Sequence, residues 1–468
     1  MSAGSVTAPV VAERHSFRSF LAALRERGEV VTIDRTIDPE GFGISACLSA
    51  LDPGPALVFT GTGASGIAVV GNLLSTIDRI AFALGVGRAE LTARLAQAIA
   101  APIEPAIVAQ GPVQDVEMRP DLGQLPIPRF FEHETGPYIT AGCIVAQDRV
   151  SGQRNLSYAR VKPLGGERAL IGIAPNHHLA VMARAAAARG ERLPIAITLG
   201  NHPAVLLAAA LYLKLGDDEM AVAGALLGEA VTTVRCRTSG LIVPAAAEIV
   251  VEGEIDVTET VEEGPVSEYH GMYERYGAGC VVTVRAITRR RDAMLQVIEP
   301  GFHREHVLLG AVSIAAGLQS HLKAILPATG NVAVSGSGCG RLSAVVALTQ
   351  EHRPGDAGKA ILATLSAVNL IKQVTIVDED IDPWDEFAVQ WAIATRLRAE
   401  RDIVVVPGMR TDRSEPMKLG GTIAKVGYDA TRRAQDRDDW TRALPPRSAF
   451  EQVAGIVSSV RNGQRNIS

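Results

Sequence analysis

The run from Glu263 to Glu268, EGPVSE, places two carboxylates five positions apart around a Gly-Pro step. That spacing does not put them on one helical face, where neighbours lie three or four apart. Gly264 and Pro265 instead predict a tight, rigid turn that could aim both carboxylates into one cavity. Two carboxylates brought together do not both ionise freely, and one becomes an acid usable near neutral pH. On spacing alone, two solvent-facing acids on a loop is the favoured alternative. Other motifs carry less. GTGASG at residues 61–66 formally fits GxGxxG, but the apolar IAVVGN that follows reads as a strand. A dinucleotide site needs a helix there, so a glycine-rich hairpin is expected. GSGCG at residues 336–340 precedes an expected helix, Arg341–Thr349, but lacks the Lys-Ser/Thr of a phosphate loop. His303, Glu305 and His306 are close in sequence, at a spacing that dictates no metal.

The elements that must position such residues belong to a long chain. Its 468 residues exceed the ~250–300 at which a single core stops growing, so two or three domains are expected. Hydrophobic residues at 47% and charged residues at 21% are the balance of a soluble globular protein. The net charge is −5, and the triplet Arg289–Arg291 is followed at once by Asp292, so no basic face for nucleic acid is read. The five cysteines are scattered, without a CxxC pair, which argues against a disulfide framework and a thiolate zinc site. The N-terminus lacks a secretory pattern, and the apolar run Ala204–Leu213 is short of the ~20 residues that span a bilayer. A cytoplasmic protein with no membrane partner is expected.

Residues 1–15 read as a disordered lead-in. Ser16 then caps a helix whose apolar face is Phe17, Phe20, Leu21 and Leu24, stopped at Gly28. Strands are expected at 30–33, 56–59 and 67–70, and helices at 77–84 and 89–99. The Pro-, Gly- and Asp-rich stretch 102–125 reads as a linker. Beyond it, strands are expected at 142–148, 155–161, 169–173, 195–199, 248–252 and 281–287, with helices at 178–189, 203–213 and 219–227. A third region from about Val307 carries Ala-rich helices and strands at 374–377 and 403–406. After Thr431 an exposed, partly helical tail is expected. No internal repeat is visible.

Several segments then fall into one order: SFRSFLAALRERGEVVTI, NLSYAR, PNHH, LPIAITLGNHPA, GDDEMAVAGALLG, VPAAAEIVVEGEI, EGPVSE, VTIVDEDIDPWD and KVGYDAT. This series resembles the UbiD family of prenylated-FMN-dependent (de)carboxylases across nearly the whole chain. The resemblance implies a mixed α/β, multidomain fold. An N-terminal α/β region (1–110) is followed by a flavin-reductase-like split β-barrel that binds the cofactor (111–306). A C-terminal α/β region (307–468) would serve dimerisation, with a homodimer or higher homo-oligomer expected.

The same resemblance assigns roles. Asn155, His178 and Glu219 match the family's divalent-metal ligands, Mn2+ or Mg2+, with K+ a further candidate. An amide oxygen, an imidazole and a carboxylate suit such an ion, with phosphate and water completing the shell. Backbone groups of Ser157, Tyr158 and Ala159, together with His177, would contact the flavin, and Lys425 matches a phosphate-binding lysine. Taken singly, Asn155 reads as a strand-edge polar residue and Glu219 as a helix-start carboxylate. Arg160, Glu263 and Glu268 match the family's Glu-Arg-Glu network. Losing CO2 from an sp2 carbon leaves electrons that no side chain can hold, so an electron-sink cofactor is needed. Glu268 would deliver the proton, Arg160 would orient the substrate carboxylate, and Glu263 would anchor Arg160. A flavin prenyltransferase is implied as cofactor supplier. Val266-Ser267 departs from the Phe-Gly of many relatives. His303, Arg304 and His306 fall where the family's variable substrate pocket is lined, hinting at a substrate with a second polar group. A flavin-dependent oxidoreductase on a split barrel and a non-catalytic cofactor-binding protein are the alternatives.

Overall fold

The computed structural model describes residues 13–63, 65–433, 436, 440 and 443–461. Most of the expected lead-in, 1–12, lies outside the described residues; Glu13–His15 form one 3-10 turn rather than a loose segment. Ser16 accepts from the Ser19 amide and starts a helix, Phe17–Glu26, that buries Phe17, Phe20, Leu21 and Leu24. Gly28 ends it in the left-handed region, at φ +71. The helix docks beside a sheet ordered Val30–Ile33, Ala56–Phe59, Ala68–Gly71 and Met294–Gln296. Phe59 pairs antiparallel with Val69, so the glycine run between them is the hairpin connection expected. The last strand of this sheet comes from more than 200 residues away and stitches the N-terminal region to the chain entering the longest helix.

The expected linker at 102–125 is tied down. Ala106–Ile107 pairs with Thr232–Thr233, and Val116–Met118 pairs with Ile287–Arg289. The central sheet has eight strands. Its path starts at β1 (Arg154–Tyr158) and ends at β2 (Arg160–Gly165), passing through Cys143–Gln147, Leu193–Leu199, Ile249–Glu262, Ala278–Arg289 and Arg168–Gly172. The single strand expected over 155–161 is therefore two. Its halves sit at opposite ends of one curled path, and Ala159 is the corner. Both halves are β-favouring, and the corner leaves only a one-residue slip in their alternation, at Tyr158-Ala159. The strands Ile249–Glu262 and Ala278–Arg289 are far longer than expected, pairing out to Glu262↔Ala278 with two register shifts. They form a ribbon that lifts residues 263–277 off the sheet.

Two short helices start on β1's flank: α1 (His178–Ala188) and α2 (Glu219–Leu227), each packed against β1. Between them, the helix expected to reach Leu213 stops at Ala209. The C-terminal region is built on α3 (Arg304–Ile325), α4 (Asp356–Ala367) and a five-stranded sheet. That sheet is ordered Thr329–Val334, Ser343–Leu348, Gln373–Asp378, Thr422–Asp429 and Ile403–Arg410. The helix expected over Arg341–Thr349 is the strand Ser343–Leu348, almost wholly buried and parallel to Gln373–Asp378. SAVVAL is a short apolar run whose periodicity fits either state, and burial between layers decides for the strand. By length and composition α3 could cross a membrane, a segment overlooked in the sequence, but two-thirds of that window (67%) is buried inside the protein. A tail helix, Arg447–Arg461, follows; parts of the expected tail lie outside the described residues.

Candidate active site

The 263–277 excursion is a second, smaller hairpin at the tip of the ribbon. Pro265–Ser267 pairs with Tyr273–Arg275. Glu263 sits at its base, its amide donating to the Gly277 carbonyl, and Glu268 sits at its tip, its amide donating to the Met272 carbonyl. Gly264 takes φ +86, which the turn requires and side chains resist. The five-residue spacing of the two carboxylates is the length of one hairpin arm.

Arg160, at the start of β2, donates Nε to Glu263 Oε1 and Nη2 to Glu263 Oε2, both at 2.6 Å. Glu263 is buried at 2% exposure, so this bidentate pair is the strong kind. Burial works against the guanidinium charge, but Glu263 outweighs it and holds Arg160 more basic than usual. Lys162 adds a bond from Nζ to the Glu263 carbonyl at 3.2 Å and to Thr135 Oγ1 at 2.7 Å.

Glu268 lies within the electrostatic reach of Arg160, but its oxygens are taken by others. The Tyr276 hydroxyl donates to Oε2 at 2.6 Å, and the Tyr269 amide to Oε1 at 2.9 Å. Burial pushes the Glu268 carboxyl up; these two donors and the positive field around it prevail and hold it below the usual range. His306 on α3 is one neighbour. Burial and Arg341 hold its imidazole down near 4, so it is uncharged at neutral pH. Its Nδ1 lies 2.9 Å from the Gly301 carbonyl and so carries the proton. The charge beside Glu268 therefore comes chiefly from Arg341 and Arg160. The sequence leads one to expect that one carboxylate of the pair becomes an acid usable near neutral pH; at Glu268 the balance of burial and donors runs the other way, toward the ionised form.

Arg341 lies with Cζ 5.1 Å from the Tyr269 ring centroid, and its Nη1 is buried with no hydrogen-bond partner among the described residues. It fits because residue 310 on α3, one turn beyond His306, is glycine; a Cβ there would collide with the guanidinium. Gly310→Ala is therefore expected to displace Arg341 while leaving thermal stability unchanged or raised, since alanine suits a helix better. Losing one charge-assisted contact of ~1.5 kcal/mol predicts a kcat/KM lower by roughly tenfold. Steady-state kinetics alongside a melting curve checks both halves.

The other candidate residues divide. Asn155 is buried on β1 and gives its amide hydrogen to Ser157 Oγ at 2.8 Å, leaving its amide oxygen as the atom suited to a cation. Glu219 opens α2, buried at 2%, with Oε2 accepting from the Leu156 amide at 2.9 Å. Burial, with Asp217 and Asp218 nearby, pushes its carboxyl up to about 7, a state that a divalent ion would relieve. His178 opens α1, against the same strand. Among the described residues no group of three His, Cys, Asp or Glu side chains is arranged to hold a metal; the expected set Asn155, His178 and Glu219 includes an amide and falls outside that kind of group. β1 is an edge strand, paired only with Cys143–Gln147 on one side. Backbone groups at Ser157 and Tyr158 on its other side have no strand partner among the described residues. His177 is the N-cap of α1, accepting from the Leu179 amide, and burial lowers its basicity. Lys425 is a correction. It is 1% exposed, and Nζ donates to the carbonyls of Leu365, Val368 and Asn369 at 2.9–3.2 Å. Its three donors close the C-terminal end of α4, and burial lowers it to about 8; no donor is left for a phosphate.

Of the expected pocket residues, His306 faces Glu268. His303 is buried on the other side, 3.8 Å from Glu299 and 3.9 Å from Asp52, and Arg304 donates its amide to Asp52. Sequence reasoning missed Tyr276, Arg341, Arg413 and Glu134. Glu134 accepts from both the amide and hydroxyl of Ser267 and so holds the hairpin arm. Its partner is 133 residues away, and nothing local could have flagged it.

A clamped arginine, a buried carboxylate at a hairpin tip and a strand edge without a strand partner among the described residues make up the candidate site. Residues 21–99, 106–303 and 307–430 match, in order, the N-terminal, Rift-related and C-terminal domains of the UbiD, 3-octaprenyl-4-hydroxybenzoate carboxy-lyase, family. The chain is 32% identical to the anhydromevalonate phosphate decarboxylase of Methanosarcina mazei over 92% of its own length and 99% of that protein. The structure of the UbiD-class enzyme HmfF from Pelotomaculum thermopropionicum in complex with FMN superimposes with a TM-score of 0.88 at 34% identity, covering 92% of this chain and 98% of that one. An evolved dimeric form of the same enzyme, in complex with prFMN, gives 0.84 at 33% identity, covering 93% and 98%. The chain belongs to the UbiD family and is a carboxy-lyase.

Proposed function

We propose that this enzyme removes CO2, reversibly and without net oxidation, from an aromatic, heteroaromatic or α,β-unsaturated acid, with Glu268 as proton donor. The carrying observation is the bidentate Arg160–Glu263 pair within electrostatic reach of Glu268. Family membership favours this over a flavin oxidoreductase or a non-catalytic binder. Prenylated FMN, when bound, supplies the electron sink that the broken C–C bond needs. The edge backbone of Ser157, Tyr158 and Ala159 is suited to lie along it, beside His177. Asn155, His178 and Glu219 would hold a Mn2+ or Mg2+ ion against its phosphate, consistent with Glu219's burial. Arg160 orients the substrate carboxylate. Glu268 first collects a proton and then delivers it to the carbon that lost CO2. Arg341, whose Nη1 has no hydrogen-bond partner among the described residues, supports a substrate bearing a second polar or anionic group.

The regions 1–110, 111–306 and 307–468 are our division, with the curled eight-stranded sheet as a split barrel and the last region as the dimer surface. Family-model ends at 303 and 307 support the second boundary. Exposed Phe387, Met417 and Leu419 support the surface.

The cofactor assignment is tested by His178→Ala, purified from cells that also make a flavin prenyltransferase. Elemental analysis and flavin absorbance should both fall well below the unmodified protein. Retention of both at wild-type levels would refute the ligand set.

A further inference from the structure

Glu268 must be poised to release a proton and then to recover one, since each CO2 lost leaves a carbon that takes up one proton. The new C–H bond replaces the broken C–C bond, and water restores the proton to Glu268. What faces Glu268 therefore decides its efficiency. From its own hairpin come the Tyr269 amide and Tyr276. From β2 comes Arg160, from α3 His306, and from the loop before Ser343–Leu348 comes Arg341.

Tyr276 joins three parts of the site through its side chain. Its hydroxyl donates to Glu268 at 2.6 Å. Its ring centroid lies 5.4 Å from the guanidinium carbon of Arg160 and 4.2 Å from that of Arg413. Arg413 is an exposed residue of the loop after Ile403–Arg410, in the C-terminal region. The neighbouring Ser414 carbonyl accepts from the Tyr269 hydroxyl at 3.1 Å, so the loop grips both tyrosines of the hairpin. A guanidinium over a tyrosine ring is attracted by the ring's negative face.

We propose that Tyr276, braced by Arg413, is the positioning residue that aims Glu268 and governs when it holds its proton. The inference rests on the reading of Glu268 as proton donor. A hydroxyl that donates to the carboxylate favours the ionised form, so it makes Glu268 a stronger acid while shrinking the protonated fraction. Arg413 makes Tyr276 a better donor, its positive charge easing the hydroxyl against the opposing effects of burial, Glu268 and Glu274.

The two effects have opposite signs in a pH profile, which a merely structural role would not produce. A general acid works only when protonated, so rate falls as pH rises through its pKa. Removing the Tyr276 hydroxyl raises that pKa and moves the falling limb to higher pH. It also weakens the acid and lowers the low-pH plateau.

The experiment is kcat against pH for holoenzyme purified with a flavin prenyltransferase, using an acid it turns over. Tyr276→Phe should move the limb up by about one pH unit, the equivalent of one charge-assisted hydrogen bond, and lower the plateau several-fold. Arg413→Ala, a change at an exposed loop residue, should move the limb the same way by less, and Arg413→Lys should restore part of it. An unmoved limb in Tyr276→Phe, at wild-type flavin content, overturns the proposal, as does an Arg413→Ala profile identical to wild type. Glu268→Gln separates the two readings. If it turns over normally, the donor assignment itself fails. If it is inactive while the Tyr276→Phe limb stays put, only the role of Tyr276 fails.

Discussion

Glu268→Gln should lose ~100–10,000-fold or more in turnover, the range a general acid typically supplies, while retaining bound flavin and metal. Glutamine keeps the size of the side chain; its one oxygen can still accept from the Tyr269 amide while its NH2 donates to the Tyr276 oxygen, so both contacts that fix Glu268 at the hairpin tip can persist, one of them reversed. What it lacks is a proton it can give up as an acid. The loss should fall on kcat, with KM little altered, because the proposed partner of Glu268 is the carbon that lost CO2 and not the substrate's binding groups. CO2 loss and proton delivery are separate steps, so the variant should accumulate bound, decarboxylated substrate in a single-turnover experiment. Release of deuterated product from D2O at near wild-type rate would remove Glu268 from the role. Tyr269 and His270 would then be the next candidates.

Glu263→Gln should fail differently. The carboxylate meets Arg160 through two 2.6 Å bonds in a pocket that leaves Glu263 2% exposed. Glutamine keeps one acceptor and turns a donor NH2 toward the other guanidinium nitrogen. Losing one charge-assisted bond of ~1.5–3 kcal/mol predicts a kcat/KM lower by ~10–100-fold. Here KM should rise along with the fall in kcat, as the proposed role of Arg160 in holding the substrate carboxylate requires. The melting temperature should drop as well, because the half-buried arginine loses its counter-charge. A Glu263→Gln enzyme with unchanged KM would show that Arg160 does not hold the substrate.

Much of this site was legible in the sequence. His178 and Glu219 open helices where expected because His177 and Asp218 are caps, accepting from the amides two residues on. The Glu263–Glu268 turn was visible as Gly-Pro between two acids. Its hairpin form was not, because the strands beneath it are longer than their apolar cores, and ribbon length is set by pairing rather than by local pattern. The corner at Ala159 is marked in the sequence only by a one-residue slip of the alternation at Tyr158-Ala159, too little to divide one strand into two. Ser343–Leu348 was misread because a buried strand and a buried helix segment share a short apolar run. Lys425 was matched to a phosphate on sequence position, whereas the end of α4 offers it three carbonyls. Tyr276, Arg341 and Arg413 reach Glu268 from elements far apart in sequence, and only the assembled fold brings them together.

The proposed reaction requires this chain to bind prenylated FMN and to exchange a carboxylate for a proton. The most direct measurement incubates protein purified from cells expressing a flavin prenyltransferase with a panel of aromatic, heteroaromatic and unsaturated acids in D2O, including acids with a second anionic group. The absorption and mass spectra of the protein are recorded beside it. The expected result is a prenylated flavin in the protein, CO2 release from at least one acid, and one deuterium at the carbon that carried the carboxylate. A protein that retains no flavin and releases CO2 from none of the panel would contradict it.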